Sequence, residues 1–185
     1  MRTVADRIRH LDPCQAAWAW ADDYTDPAKA WADCPNGSWM LWLLGHSERS
    51  APWSEERKPL LACCLDCAET VQHLWPAEQR VKISAAVKVL RRWIAGKADV
   101  EEAKQARRDL YAADAAAAAA AADAADAAYA AYAAADAAYA ADAAAADAAD
   151  AADDEARVKT LARCAAIVRK HYPKLPTLPG KRTAR

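Results

Sequence analysis

The chain has 185 residues, a formal net charge of −1 and a hydrophobic content of 55%, with no Phe and only four Gly. That length suits one domain with a real core or two very small ones. The balanced charge, with no dominant basic face, argues against a nucleic-acid binder, and no run of 18 bulky apolar residues appears that would cross a bilayer.

The opening "MRTVADRIRH" is polar and lacks an apolar signal-peptide core, which points to a cytoplasmic protein with reduced thiols. Thr3 is placed to cap a short helix through Leu11. Pro13 opens a second helix over "CQAAWAWA", and Pro27 a third over "AKAWA". In "CPNGSWMLWLLGHS" the residues Pro35, Asn36 and Gly37 read as a turn, Ser38 as an N-cap and Gly45 as the stop of a two-turn helix. Ser54 starts the next helix, which tolerates Pro59 only near its first turn. Its apolar positions Leu60, Cys64, Cys67, Val71 and Leu74 recur every three to four residues. Pro76 opens a helix ending at Gly96, with Ile83, Val87, Leu90 and Ile94 on one face and Arg80, Ser84, Lys88 and Arg91 on another.

Asp99 and Glu102 form a capping box for the long middle segment, which is built almost entirely of Ala, Asp and Tyr from position 112 on. Ala has the best helix propensity, so this segment is expected to be helical. At 100° per residue the Asp and Tyr positions from 126 to 153 fall within an arc of about 200°, leaving an arc of about 160° lined only by methyl groups. A methyl-only face lets another helix approach to the ~8 Å end of the interaxial range. One helix from 99 to 154 would be about 84 Å long. A compact domain of this size has a radius of gyration of about 16 Å. A break is therefore expected, at Asp123 or Asp126 or within 147–154. A last helix from Glu155 to Tyr172 carries Val158, Leu161, Ala165 and Val168 on one stripe, and the Pro-rich, basic "YPKLPTLPGKRTAR" reads as a mostly disordered tail.

Charge is segregated along this plan. Residues 1–97 hold 13 Lys+Arg against 12 Asp+Glu, residues 98–154 hold 3 against 13, and residues 155–185 hold 9 against 1. Acids of the middle segment are expected to pair with Arg80, Lys88 and Arg91 or with the basic last helix.

Chemistry is sparse. Cys63, Cys64 and Cys67 lie on one predicted helix, with Cys14, Cys34 and Cys164 elsewhere. There is no second C-x-x-C and no paired His, so they read as small core residues and no metal site is expected. His10, His46, His73 and His171 are isolated, His46 reading as a helix-end residue that interacts with the dipole. No nucleophile motif and no phosphate-binding Gly loop is present, so neither a catalytic residue nor a cofactor is expected and the chain reads as no enzyme. All eight Trp lie at or before position 93. Trp39 and Trp42 read as core or as a binding surface. Tyr129, Tyr132 and Tyr139 either pack into the Trp-rich head or stand exposed beside Asp136 and Asp142, where rigid phenols among carboxylates would form a partner-binding face.

The run "SEERKPLLACCLDCAETVQHLWPAEQRVKISAAVKVLRRWIAGKADVEEAKQARRDLYAA", with "CPNGSWMLWLLG" and "LARCAAIVRKHYP", resembles bacterial putative immunity proteins and related phage-encoded alanine-rich helical proteins over about positions 34–173. The resemblance implies an all-helical cytoplasmic protein that acts by binding, neutralising a toxin or defence protein, with no catalytic residues to carry over.

The expected architecture is all-α: an antiparallel multi-helix bundle with an Ala-rich long helix or helix pair. One domain spans 1–172, comprising a Trp-rich head (1–97), the Ala/Asp/Tyr-rich helices (99–154) and the basic last helix (155–172), and the tail spans 173–185. The expected function is a non-enzymatic binding protein, an immunity or phage anti-defence factor that sequesters a protein through Tyr129, Tyr132, Asp136, Tyr139 and Asp142. The alternative is an oligomeric assembly module or a small-molecule sponge.

Overall fold

The computed structural model describes residues 2–48, 50–75, 77–112 and 154–178. Their fold is all-α, a bundle of helices packed on helices. In chain order these are α1 (Val4–Ile8), α2 (Gln15–Asp22), α3 (Pro27–Asp33), α4 (Gly37–Ser47), α5 (Lys58–Glu69), α6 (Ala77–Ile94), α7 (Val100–Ala112) and α8 (Asp154–His171), with short 3₁₀ turns after α1, before α5 and after α5. None of the helices among the described residues is long and apolar enough to cross a membrane. The expected break in the Ala-rich segment, and the packing of that segment against the Trp-rich helices, lie outside the described residues.

Local chemistry sets most helix starts. Thr3 forms a complete capping box with Asp6 at the head of α1, and Asp26 caps α3 ahead of Pro27. The head of α4 differs from the sequence expectation. Asn36, not Ser38, is the N-cap, its Oδ1 accepting from the N–H groups of both Ser38 and Trp39. Asn and Ser are near-equal caps, and the one reaching two orphan donors takes the position. Gly45 does not end this helix, which runs on to Ser47, with the side chains of His46 and Ser47 bonding to carbonyls one turn back. His46 Nδ1 donates to the Trp42 carbonyl at 2.9 Å in the last turn. Pro59 sits in the first turn of α5, as its missing N–H requires.

The core centres on α8, which packs against α4 and α5. Its buried residues Cys164, Ala165 and Val168 meet Met40, Leu41 and Leu44 of α4 and Leu60, Cys63, Cys64 and Cys67 of α5. Val158, expected on the same stripe, is 61% exposed, because α8 enters the core only in its second half. The contact with α4 is close enough to need a glycine. A methyl on Gly37 would fall 2.6 Å from the Ala165 backbone N and against Cys164 Cβ. A second, smaller cluster joins α1, α2 and α3 through Val4, Ala5, Ile8, Ala21 and Ala30, with Trp20 and Leu43 touching both clusters.

Helices α6 and α7 form a hairpin. Gly96 turns the chain at φ 69°, its N–H and that of Lys97 closing onto Trp93 O and Arg92 O. Asp99 Oδ1 then accepts from the Glu102 N–H at 2.7 Å, while the Glu102 carboxylate pairs with Arg92 across the hairpin. The expected apolar face of α6 (Ile83, Val87, Leu90, Ile94) is half-buried, with Ala86 and Trp93 buried beside it.

Substituting Gly37→Ala is expected to lower stability by about 1–3 kcal/mol in urea denaturation, the usual cost of overpacking. Gly45→Ala, where an added methyl meets nothing within 4 Å, is expected to raise it by about 0.4–1 kcal/mol. Equal effects at the two glycines would contradict the close approach of α4 and α8.

Candidate functional site

Three features of the described residues could carry function: a polar cluster, a tight loop and an apolar groove. The polar cluster lies where α5, α6 and α8 meet. Arg91 Nη2 bonds Asp66 Oδ1 and, at 2.8 Å, Glu69 Oε2, while His171 Nε2 donates to Asp66 Oδ2 at 2.6 Å. Partial burial alone would raise the Asp66 carboxyl, but hydrogen bonds from His171 and Arg91 outweigh it and hold it below the ordinary carboxylate range. Arg91 therefore pairs within the head, at the α5–α6 seam. Both carboxylates are hydrogen-bonded within the group, and what the arrangement does is brace three helices.

The loop from Glu48 to Arg57 is tightly wound. Arg57 Nε donates to Ser50 O at 2.9 Å and its Nη2 to Glu48 O at 3.2 Å, tying the loop to the start of α5. Trp53 stands at φ 63°, a left-handed conformation that costs a bulky residue about 1–3 kcal/mol. Its ring meets Trp93 edge-on at 5.4 Å, and Lys58 Nζ lies 5.0 Å from the Trp93 ring centroid. Ser50 Oγ, Ser54 Oγ and Arg57 Nη1 are buried without a hydrogen-bond partner.

The groove runs along the seam between the two core clusters. Its wall is apolar throughout: Val4 and Ile8 of α1, Trp20 of α2, Trp31 of α3, and Trp39, Met40, Trp42 and Leu43 of α4. Trp20 stacks at a tilt on Tyr24 (4.7 Å) and Trp39 (6.0 Å), which fixes the indole planes. The end of the chain lies across this wall. Arg169 Nη1 donates to Cys34 O at 2.8 Å and Trp31 Nε1 to Tyr172 O at 3.0 Å, so the exit from α8 is pinned. Leu175 then packs on the central cluster and Leu178 on the smaller one. The sequence counts 173 onward as tail; residues 173–178 are placed on the groove, and 179–185 lie outside the described residues.

No family model, curated protein or solved structure matches this chain.

Tyr129, Tyr132, Asp136, Tyr139 and Asp142 all lie outside the described residues. Trp39 and Trp42, read as core or binding surface, both line the groove. Sequence reasoning missed Trp20, Trp31, Leu175 and Leu178 as parts of one site, although the spacing "PKLPTLP" holds a signal in its three-residue period. The Asp66–His171 pair carried no local signal, because its members are 105 residues apart. Among the described residues no group of three or more His, Cys, Asp or Glu is placed to hold a metal ion. Five of the six Cys are buried and only Cys14 is exposed. Burial pushes the Cys34 and Cys64 thiols up, away from the reactive thiolate.

Two measurements check this chemistry. In native buffer a thiol reagent is expected to modify one Cys of the six, Cys14, and all six in denaturant; fast native modification at Cys63, Cys64 or Cys67 would contradict their burial. Asp66 contributes stability that is complete above the ordinary carboxylate range and is lost as pH falls through its lowered folded value. Urea denaturation between neutral pH and about pH 3 is therefore expected to show a shallower acid loss for Asp66→Asn than for the wild type.

Proposed function

We propose that the chain is a non-enzymatic binding protein that acts in the cytoplasm by sequestering a protein partner, as an immunity protein or a phage anti-defence factor does. The observation that supports this reading is the groove. A wall of four indoles and aliphatic side chains, whose one thiol, Cys34, is buried and pushed up away from the thiolate, offers the large rigid apolar area on which protein interfaces concentrate their energy. Among the described residues no charged side chain lines that wall, and the ion pairs of Arg91 lie elsewhere, at the α5–α6 seam.

The acidic segment with Tyr129, Tyr132, Asp136, Tyr139 and Asp142 is the second contact surface in this proposal. Carboxylates there would steer a basic partner, and the phenols would supply the anchors. A toxin or defence protein encoded beside this chain is the partner to try first, by pull-down and by rescue of growth on co-expression.

Replacing Tyr129, Tyr132 and Tyr139 together by Ala is expected to weaken capture of that partner by at least about 2 kcal/mol, roughly 30-fold, without lowering the thermal midpoint. A lowered midpoint would place those rings in the core and remove them from the interface.

A further inference from the structure

The end of the chain repeats with a period of three: Pro173, Pro176 and Pro179 on one register, Leu175 and Leu178 on another, Lys174 and Thr177 on the third. A polyproline II segment has three residues per turn, so each register forms one edge. Burial separates two of these registers. Leu175 and Leu178 are half-buried against the groove, whereas Lys174 and Thr177 are exposed. Aromatic-lined grooves recognise such Pro-spaced segments because the ligand is already extended and has little entropy left to lose.

The segment is held loosely. Pinning ends at Tyr172, and residues 173–178 make no hydrogen bond or ion pair to another described residue. Two half-open hollows border the segment. One cavity of about 60 Å³ remains against Leu175 and Leu178, and another of about 230 Å³ lies against Tyr172, Pro176 and Thr177. The segment is thus held by the side chains of Leu175 and Leu178 on the two clusters, with open surface on either side.

We propose that the tryptophan-lined groove is a docking site for an extended Pro-x-Leu-Pro-x-Leu segment of a protein partner, and that residues 173–178 are a tethered occupant which the partner displaces. This rests on the binding role proposed above and names the chemistry of the partner. Recognition is by two leucines three residues apart, set between prolines that keep the strand extended. The tether imposes a threshold. A short flexible link holds the internal copy at an effective concentration in the mM range, so a partner must bind better than the chain's own segment, or bind a second surface as well.

The test uses the full chain carrying Leu175→Ser and Leu178→Ser, and a synthetic peptide PALPTLPG, which is residues 173–180 with Ala in place of Lys174. Saturable quenching or shift of Trp fluorescence at one peptide per chain is expected, with an apparent affinity at least about tenfold tighter than for the wild-type chain. A peptide with Ser at both Leu positions is expected to bind neither. If the double variant loses its helical circular dichroism, the wild-type chain decides the matter. Excess peptide is then expected to accelerate tryptic cleavage after Lys174, because a displaced segment is open to the protease. No binding to a folded variant, or no change in cleavage at mM peptide, overturns the proposal. So does a wild-type dimer that exchanges tails between copies and excludes the peptide, since the groove would then serve self-assembly. Partner capture in the pull-down without peptide binding overturns only the groove assignment, whereas failure of both overturns the binding role.

Discussion

The central core of this fold depends on the seating of α8 against α4 and α5. The helix arrives from the far end of the chain, after residues 113–153, and supplies Cys164, Ala165 and Val168 to a core whose other members lie between Trp31 and Cys67. Loop-closure cost grows only with the logarithm of length, so a long intervening segment does not forbid such a return. What the return requires is a surface that accepts it. Gly37 on α4 and the small side chains of α8 provide one, and the thiols of α5 fill the remaining space as compact apolar groups.

Once α8 is seated, its C-terminal end organises the rest. Arg169 reaches the loop before α4, His171 reaches Asp66, and Tyr172 presents its carbonyl to Trp31. With Arg91 of α6 on the same Asp66, these contacts join α3, α5 and α6 to one helix end. They also launch the chain across the seam between the clusters, and so the occupant of the groove is a consequence of where α8 stops.

Much of this was legible in the residues. The all-α class, the Thr3 cap, the stripe on α5, the face of α6 and the core role of the clustered thiols follow from period, propensity and cap chemistry. Errors arose where two residues competed for one role, as Asn36 and Ser38 did, and where helix propensity met a glycine with nothing near it, as at Gly45. The long-range partners were not legible, since Asp66 with His171 and Gly37 with Cys164 join positions whose local sequence says nothing of each other. The seat of Leu175 and Leu178 belongs to the same class. Composition marks that stretch as tail, and only the fold reveals which surface its three-residue period faces.

Native-state hydrogen exchange under increasing denaturant tests most directly whether α8 closes this core. The amides of Ala165 and Val168 are expected to open with the same free energy and denaturant slope as those of Leu41, Leu44 and Cys64, as one cooperative unit whose opening is global unfolding. If α8 amides exchange through a separate, lower-energy opening while α4 and α5 remain protected, the last helix is an appendage and the core closes without it, which contradicts the central role of α8.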